Sequence, residues 1–340
     1  MHRPALSVVI PCYNEEATLP LLHARVSAAA RAAVGDDHEI VLVNDGSRDN
    51  SWAAMQRLSA EDPRVVAINL SRNHGHQLAL TAGLDMCAGE QILIIDADLQ
   101  DPPELLSDMR LMMAREQADV VYAVRRKREG ETLFKKATAA AFYRVLDRVT
   151  DTAIPLDTGD FRLMTRRALD AFLALPEQAR FIRGMVAWVG FRQVPFPYDR
   201  AERHAGETNY PLGKMVRLAL DAVTGFSTAP LRWASHLSVV LAACSMLLLV
   251  YIGWGYFVGD HVQGWTSTML VVVVLSSIQM FVLGMIGEYL GRLYIEAKRR
   301  PLYLIADVAG TAHGRATLGF QAERTRIPDA QVAGEVVAQD

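Results

Sequence analysis

The apolar run ILII at residues 92–95 continues into the acidic segment DADLQDPP. Asp96, Asp98 and Asp101 fall within six positions, and carboxylates this close repel one another unless a cation lies between them. Mg²⁺ and Mn²⁺ prefer oxygen ligands, typically one or two carboxylates together with phosphate and water oxygens. The spacing therefore indicates a divalent-cation site formed by Asp96, Asp98 and the neutral oxygen of Gln100. For Asp101 we favour a local role as the cap of the helix that the two following prolines begin.

The elements that position these residues are strands alternating with helices. Apolar, β-branched runs predict strands at residues 6–10, 39–44, 65–70, 92–95 and 120–124. Helical patterns fall between them at residues 15–33, 50–60, 75–87 and 103–115. This alternation predicts an α/β fold with a mostly parallel sheet and helices on both of its faces. Sheets of this kind bind ligands at the carboxyl ends of their strands.

Polar segments follow the first four predicted strands, at residues 11–15, 44–47, 71–73 and 96–98. Because the carboxyl ends of parallel strands meet at one edge of a sheet, the four segments predict a single site. The sequence has neither a glycine-rich dinucleotide fingerprint after the first strand nor a Walker A loop. A phosphate site without a glycine cradle needs another source of positive charge, which again favours Mg²⁺ or Mn²⁺. We interpret His74 and His76, at the same edge, as polar lining rather than metal ligands.

The bulk charge excludes one class of function and the hydropathy indicates another. The net charge of the 340 residues is −3, which gives no support for nucleic-acid binding. The hydrophobic fraction is 51% and the mean hydropathy is +0.12, high values for a soluble protein. The excess is concentrated between residues 234 and 286, so a membrane-bound portion is expected there.

Two apolar stretches of 25 residues each, 234–258 and 262–286, contain no Asp, Glu, Lys or Arg. A helix needs about 20 residues to cross the hydrocarbon core of a bilayer, so we predict two transmembrane helices. The alternative is a pair of buried core helices, which are usually shorter. The loop between the stretches has no Lys or Arg, whereas Arg232 and residues 292–300 supply positive charge at the outer flanks. The positive-inside rule then puts both flanks in the cytoplasm.

Two further segments, near residues 131–149 and 211–230, have helical spacing with basic residues on one face. Such helices lie well on an anionic bilayer surface, although a core-packing helix with a solvated basic face has the same pattern. The predicted organisation is a cytoplasmic α/β domain at 1–230 that includes these interfacial helices. A two-helix transmembrane domain at 231–291 and a cytoplasmic tail at 292–340 follow it.

Several segments together resemble a known family. SVVIPCYNEE, VLVNDGSRDNS and DADLQDPPE, in this order, are similar to family 2 glycosyltransferases with the GT-A nucleotide-sugar-binding fold. TGDFRLM at residues 158–164 and GEYLGRLYIEAKRRPLYL at 287–304 resemble the polyprenyl-phosphate glycosyltransferases, which are relatives of dolichol-phosphate mannose synthase. Within that group the chain looks most similar to the bactoprenol glucosyltransferases. The resemblance extends from residue 6 to about residue 307.

The resemblance implies a role for each matching position. The residues implied to bind the nucleotide of the donor are Pro11, Tyr13, Glu15, Asp45, Asp96, Ala97 and Asp98. Asp98 and Gln100 would ligate the metal ion, with Asp96 in its shell. Asp160 would face the reacting centre, and Arg125 and Arg203 would meet the donor diphosphate or the acceptor phosphate. Relatives often have Lys where this chain has Asn209, which weakens the loop after Arg203 as a diphosphate clamp.

The implied reaction is inverting, metal-dependent transfer of a sugar from a nucleotide diphosphate to undecaprenyl phosphate or another polyprenyl phosphate. Glucose from UDP-glucose is the first choice, at the cytoplasmic face of a bacterial inner membrane and in the context of lipopolysaccharide modification. The acceptor phosphate has a second pKa of about 6 and is largely a dianion at neutral pH. It needs no strong base, so we interpret Asp160 as holding an arginine, orienting the sugar or stabilising positive charge. Relatives also imply a homo-oligomer, a tetramer.

Other functions remain open at this stage. Galactose, mannose from a GDP donor or aminoarabinose could be transferred to the same lipid. A processive polysaccharide synthase usually carries a Gln-x-x-Arg-Trp motif, but here Arg232 and Trp233 follow Ala229-Pro230-Leu231 and the glutamine is missing. A non-catalytic membrane scaffold that binds nucleotide sugars is a third class. The complete set of acids around Asp96, Asp98 and Asp160 argues against that class.

Overall fold

The computed structural model describes residues 3–125, 158–199 and 264–310, together with scattered positions between 231 and 254. The side chain of Arg125, all of Arg203 and both predicted interfacial helices lie outside the described residues, as does most of the first apolar stretch. The chain divides into two compact units. The first contains residues 3–125, 158–199 and 300–310 of the described part, and the second contains residues 264–299 and the scattered positions.

An eight-stranded sheet forms the first unit, in the order β7-β5-β6-β4-β1-β2-β3-β8. The strands are β1 Leu6–Cys12, β2 His38–Asn44, β3 Val65–Leu70, β4 Gln91–Ile94, β5 Val120–Arg125, β6 Thr158–Thr165, β7 Gln193–Tyr198 and β8 Ile305–Ala309. The block β4-β1-β2-β3 is parallel throughout. β6 lies antiparallel between β4 and β5, and β7 lies parallel to β5. The predicted mostly parallel α/β sheet is therefore confirmed, with antiparallel strands added at β6 and β8.

Helices connect the strands. They are α1 Leu19–Val34, α2 Ser51–Glu61, α3 His76–Met86, α4 Leu106–Glu116, α5 Arg166–Leu173 and α6 Ile182–Val189, and a 3₁₀ turn at Pro103–Leu105 precedes α4. The first four helices and five strands agree with the sequence-based bounds to within a few residues. Helical segments between parallel strands give right-handed crossovers that cover the sheet, which explains why β1 is buried along its whole length.

The core lies on both faces of the central strands, as expected where helices cover a parallel sheet. On one face Val8, Leu42 and Leu93 pack with α1 and α4 residues such as Leu22 and Met109. On the other face the strands approach α3 so closely that a Cβ on Gly83 would lie 2.4 Å from Val9 Cγ1. The close contact fixes α3 against the strands whose ends form the candidate site.

The last described strand, β8, lies in the region predicted to be a cytoplasmic tail. Ile305–Ala309 pairs antiparallel with β3 at the edge of the sheet. The N–H of Ser71 donates to the carbonyl of Leu304 at 2.8 Å, and the Tyr303 hydroxyl donates to Asp85 on α3 at 2.8 Å. This part of the C-terminal segment therefore belongs to the first unit, while the bounds given to the three domains stay predictions.

The second unit contains the long helix α7, Trp265–Lys298. Its segment Val271–Lys298 contains an 18-residue window with a mean hydropathy of 1.9, and this window is not buried within the structure. Among the residues that the structure describes, α7 is the one helix whose length and composition would allow it to cross a membrane. The helix α7 covers residues 265–286 of the second predicted span, which begins at residue 262, and continues beyond it to Lys298.

Candidate active site

Strand pairing brings two acidic residues from distant parts of the sequence together. In the antiparallel register of β4 and β6, Ile94 pairs with Arg162. Asp96 lies two residues beyond Ile94 and Asp160 two residues before Arg162, so the register aligns the two acids at the carboxyl end of β4. Ligand atoms of Asp96, Asp160 and His76, the first residue of α3, lie within 4.8 Å of one another. These three residues are the acidic cluster of the site.

Asp160 has partners at both carboxylate oxygens. Arg183 Nε donates to Oδ1 at 2.9 Å, and Gln77 Nε2 donates to Oδ2 at 3.2 Å. His76 Nε2 lies 3.0 Å from Oδ2, and Arg162 Nη2 lies 3.6 Å from Oδ1. Burial raises the pKa of this 2%-exposed side chain, but the bond to His76 and the charges of Arg183 and Arg162 outweigh it and hold the pKa well below its usual range. Asp160 is therefore an ionised anchor.

Asp96 has the opposite electrostatic environment. Burial, together with the charges of Asp160, Asp101 and Asp98, raises the pKa of Asp96 to about 6, against the lowering effect of His76. Its Oδ1 accepts no hydrogen bond from the described residues, and His76 Nε2 is 3.6 Å away from it. A buried carboxylate oxygen without a hydrogen-bond donor is costly unless a ligand or ion meets it.

The donor set fits a divalent cation at Asp96 rather than at Asp160. The unpartnered Oδ1 of Asp96 is the kind of hard oxygen that Mg²⁺ and Mn²⁺ take. The oxygens of Asp160 already receive hydrogen bonds, and His76 donates to one of them. Burial lowers the pKa of His76, but the bond to Asp160 and the charges of Asp96 and Asp160 outweigh it and raise the pKa. A histidine with a raised pKa is a poor metal ligand because ligation needs the neutral ring.

The other predicted metal ligands occupy the turn after β4. Asp98 Oδ1 accepts the N–H of Gln100 at 3.1 Å, and Leu99 between them has the left-handed backbone angle φ 58° with a buried side chain. This turn is the local structure that lets Asp98 and Gln100 follow a buried strand so closely. Neither residue is in the cluster of His76, Asp96 and Asp160, and their role as ligands stays a prediction.

A pocket of about 190 Å³ lies beside the cluster. It is lined by Pro11, Cys12, Tyr13, Asp45, Asn73, Gly75, His76 and Ala79. Of the seven residues predicted to bind the nucleotide, three are in this lining, namely Pro11, Tyr13 and Asp45. Tyr13 is 41% exposed, so the face of its ring is accessible for stacking on a base.

Asp45 connects the pocket to the loop after β3. Its carboxylate accepts the backbone N–H groups of His74 at 2.7 Å and Gly75 at 2.9 Å. Burial raises the pKa of Asp45 although these two hydrogen bonds act in the lowering direction. Gly46 allows the approach of the two loops, since its φ is +63° and a Cβ there would lie 2.5 Å from the Arg72 carbonyl carbon and the Asn73 nitrogen. The pocket wall therefore depends on one glycine and one buried acid.

Glu15 and Asp101 each make a side-chain hydrogen bond that the sequence did not predict, and the nucleotide-binding role of Glu15 stays a prediction. The Glu15 carboxylate accepts the Thr18 hydroxyl at 2.7 Å at the start of α1, and Glu15 is not among the residues that line the pocket. The expectation that Asp101 caps a helix is wrong. Pro102 occupies the N-cap position without a side-chain bond, and the buried Asp101 instead accepts the Tyr198 hydroxyl of β7. Ala97 is buried in the turn after β4.

Three residues of the site were not predicted from the sequence, namely Gln77, Arg162 and Arg183. His76 was expected only as polar lining, and its contact with Asp160 was not predicted. Arg162 was detectable in principle, because it lies two residues after Asp160 and side chains at i and i+2 share one face of a strand. Gln77 and Arg183 carry no sequence signal of this kind. They approach Asp160 only through the packing of α3 and α6 around β6.

The fold and the site together define a class of protein, an α/β protein with a pocket and adjacent acids at the carboxyl edge of its sheet. A family model described as "Glycosyl transferase family 2" matches residues 7–173, and a second, described as "GtrB C-terminal hairpin", matches residues 229–293. The chain is 46% identical over 310 residues to "Uncharacterized glycosyltransferase YkcC" of Bacillus subtilis (strain 168), covering 91% of this chain and 95% of that one. The chain belongs to glycosyl transferase family 2.

Further relatives include the "Prophage bactoprenol glucosyl transferase homolog" of Escherichia coli (strain K12). It is 36% identical over 307 residues, which cover 89% of this chain and 99% of that protein. A solved structure of similar fold is glucosyl-3-phosphoglycerate synthase from Mycobacterium tuberculosis in complex with Mn²⁺, UDP-glucose and glycerol 3-phosphate. It is 21% identical, with a TM-score of 0.41, and covers 65% of this chain and 78% of that one. The family model and the curated relatives thus confirm the resemblance to family 2 glycosyltransferases.

Proposed function

We propose that this protein transfers glucose from UDP-glucose to undecaprenyl phosphate at the cytoplasmic face of a bacterial inner membrane. The observation that carries the proposal is the pairing, in one chain, of a family 2 glycosyltransferase domain with a GtrB-type C-terminal hairpin. A sugar-transferring domain joined to an apolar hairpin suits an acceptor that itself resides in the membrane. The similarity to bactoprenol glucosyl transferases supports glucose and a polyprenyl phosphate as the substrates.

The pocket supplies the groups that a nucleotide donor needs. Tyr13 offers an aromatic face, and Asp45 together with the N–H groups that it accepts shapes part of the pocket wall. The pocket borders His76, which in turn contacts Asp160. A nucleoside in this pocket would place its diphosphate towards the acidic cluster, where the glycosidic bond breaks.

Asp96 and Asp98, with Gln100, are the residues that would hold Mg²⁺ or Mn²⁺. A bound divalent ion acts as a Lewis acid that stabilises the charge on the leaving nucleotide diphosphate. Removal of the metal with a chelator is expected to stop transfer.

Asp160 does not act as the general base in this proposal. Its low pKa makes it a weak proton acceptor, and its oxygens are hydrogen-bonded to Arg183, Gln77 and His76. The acceptor phosphate is largely a dianion at neutral pH and attacks the anomeric carbon without losing a proton. Asp160 therefore holds cationic and amide groups in place at the reacting centre, and the reaction inverts the configuration at that carbon.

The test supplies membranes that contain the protein with undecaprenyl phosphate and a panel of radiolabelled nucleotide sugars, with and without Mn²⁺. We expect UDP-glucose to label the lipid and EDTA to prevent labelling. Labelling by GDP-mannose or by UDP-galactose instead would change the sugar in the proposal but leave the proposed reaction class unchanged. A complete lack of lipid labelling with every donor would overturn the proposal.

A tetramer and two membrane-spanning helices, with both termini in the cytoplasm, complete the proposed arrangement. The apolar α7 and the hairpin match at residues 229–293 support the membrane attachment. The oligomeric state can be measured by mass photometry in detergent.

A further inference from the structure

The segment that follows β4 alternates between partly exposed and buried residues. The three predicted metal ligands are partly exposed, namely Asp96, Asp98 and Gln100. The residues that alternate with them are buried, namely Ala97, Leu99 and Asp101. A shift of the segment by one residue would exchange the two sets, so whatever fixes the buried set also decides which oxygens are available to an ion.

Asp101 is the polar member of the buried set. It is 1% exposed and accepts the hydroxyl of Tyr198, which is 4% exposed at the end of β7 and 97 positions away in the chain. A buried carboxylate and a buried hydroxyl are costly unless each has a hydrogen-bond partner. The bond therefore joins the segment to one particular residue of β7, and it is directional in a way that the apolar contacts of Ala97 and Leu99 are not.

Tyr198 is itself held by strand pairing and by aromatic packing. In the parallel register of β5 and β7 it pairs with Arg125, the last residue of β5. Its ring packs edge-on against the fully buried Phe161 of β6, with ring centroids 5.7 Å apart and an interplanar angle of 71°. Phe161 and Tyr198 both belong to the core on the side of α1 and α4. The hydroxyl that meets Asp101 is therefore placed by the sheet at its carboxyl edge.

Metal ligands on a turn are placed only as well as the turn itself is held. Mg²⁺ needs oxygens in near-octahedral positions, and a site binds weakly when its supporting residues leave the ligands loose. Within the turn, the Gln100 N–H donates to Asp98 Oδ1 at 3.1 Å. That bond lies inside the segment, whereas the bond from Tyr198 to Asp101 joins the segment to the sheet. The second bond therefore determines where the ligands lie relative to the rest of the unit.

We propose that Asp101 and Tyr198 are a pair of positioning residues, which hold the segment after β4 in the register that presents Asp96, Asp98 and Gln100 to a divalent cation. Neither member of the pair ligates the ion. The inference rests on the proposed function, which supplies the metal site. It gives the third aspartate of the acidic segment a role in that site, in place of the helix cap that the sequence suggested.

The experiment compares Tyr198→Phe with the full-length wild-type protein, purified in detergent. Phenylalanine removes the hydroxyl and keeps the ring that packs on Phe161. Binding of Mn²⁺ is measured by calorimetry with UDP in excess, and the thermal midpoint is recorded alongside. We expect the Mn²⁺ dissociation constant to rise about tenfold, because Asp101 loses its hydroxyl donor and the turn is no longer held in one register.

Tyr303→Phe is the matched control, because it removes the same kind of bond elsewhere in the first unit. Tyr303 is 9% exposed, and its hydroxyl donates to Asp85 on α3 at 2.8 Å. We expect Tyr303→Phe to lower the thermal midpoint about as much as Tyr198→Phe and to leave the Mn²⁺ dissociation constant within about twofold. Asp101→Asn keeps an oxygen that can accept the Tyr198 hydroxyl, so it should weaken Mn²⁺ less than Tyr198→Phe does.

Two results for the variants would overturn the inference. In one, Tyr198→Phe leaves Mn²⁺ binding within about twofold of wild type. In the other, Tyr303→Phe weakens Mn²⁺ as much as Tyr198→Phe, which indicates a general loss of stability. If the wild-type protein binds Mn²⁺ but labels no lipid, the proposed transfer reaction fails, and the comparison of Mn²⁺ affinities still decides the role of the pair. If the wild-type protein binds no Mn²⁺ beside UDP, the metal site fails and the inference fails with it.

Discussion

The pKa values of Asp96 and Asp160 shift in opposite directions because the neighbours of the two side chains differ. Burial raises the pKa of both, but Asp160 receives hydrogen bonds and positive charge from His76, Arg183 and Arg162. Asp96 has His76 at 3.6 Å and several acids nearby, and its pKa rises to about 6. One carboxylate is therefore permanently charged and internally satisfied, while the other has an oxygen available for an ion.

The first prediction concerns Asp98. Asp98→Asn keeps an oxygen that can accept the Gln100 N–H, so the fold should persist, but a neutral amide is a much weaker ligand for Mg²⁺ or Mn²⁺. We expect transfer to fall by about a thousandfold or more, a loss of roughly 4 kcal/mol of transition-state stabilisation. Activity and circular dichroism check this, with the exposed Asp108→Asn of α4 as the control. An Asp98→Asn protein that retains wild-type activity would exclude Asp98 as a metal ligand.

The second prediction concerns Asp160. Asp160→Asn removes the carboxylate that Arg162 faces in the core, where the Arg162 side chain is 4% exposed. An uncompensated buried charge costs about 3–5 kcal/mol, so the variant should unfold at a markedly lower urea concentration and lose activity. Asp170→Asn is the control, since Asp170 is 61% exposed and pairs with Arg166 on the surface of α5. Equal stability of the two variants would contradict the anchoring role of Asp160.

At the scale of elements, the pocket depends on how closely the ends of β2 and β3 approach. Gly46→Ala would place a Cβ 2.5 Å from backbone atoms of Arg72 and Asn73, in addition to the strain of φ +63°. We expect a loss of about 2–3 kcal/mol in stability and a clear loss of nucleotide affinity. Gly35→Ala is the matched control, because its φ is +68° with no atom within 4 Å. If Gly35→Ala weakens nucleotide binding as much, backbone strain rather than loop packing is the cause.

Asp62 follows α2 and hydrogen-bonds to His23 of α1 and to Arg64, which precedes β3. We predict that its contribution to stability depends on pH. Burial raises its pKa, but hydrogen bonds from Arg64 and His23 outweigh it and lower the pKa to about 2, against 3.8 for a free side chain. Because the folded pKa is depressed, the contribution is present above pH 3.8 and is lost as the pH falls through about 2. It amounts to about 1 kcal/mol once solvent screening is allowed for.

Asp62→Asn should therefore lower the stability at neutral pH, and the difference from wild type should shrink as the pH falls from about 4 to about 2. Urea unfolding at several pH values measures this. Asp36→Asn serves as the comparison, because Asp36 also pairs with Arg64 but is 80% exposed, and exposed pairs contribute little. A pH-independent difference for Asp62→Asn would show that packing, not charge, accounts for its effect.

At the scale of the whole molecule, the chain returns to its first unit after the apolar helix α7. β8 adds to the edge of the sheet, and Tyr303 hydrogen-bonds to Asp85 on α3. Edge strands expose unpaired backbone groups, and β8 satisfies those of β3. The segment that follows the apolar helix is thus part of the catalytic unit.

The predicted membrane topology can be tested with cysteines. The native cysteines give a low background, because Cys12 and Cys87 are buried and burial raises the pKa of the Cys87 thiol to about 12. In a Cys244→Ser background, an impermeant maleimide should label Asp260→Cys, in the loop between the two predicted spans, from outside intact cells. Glu61→Cys, exposed at the end of α2, should react only after the cells are permeabilised. Labelling in the reverse pattern would invert the topology.

The sequence by itself determined the α/β order of the first five strands, because the local periods of apolar residues and the polar strand ends encode it. It also determined the family and the position of the acids Asp96 and Asp98, which are adjacent along the chain. Only the tertiary structure decided that Asp160 meets Asp96, that Gln77 and Arg183 hold its carboxylate, and that β8 rejoins the sheet. These contacts join residues from different elements that are 23 or more positions apart in the chain. Their partners are selected by strand register and helix packing, which no local pattern in the sequence records.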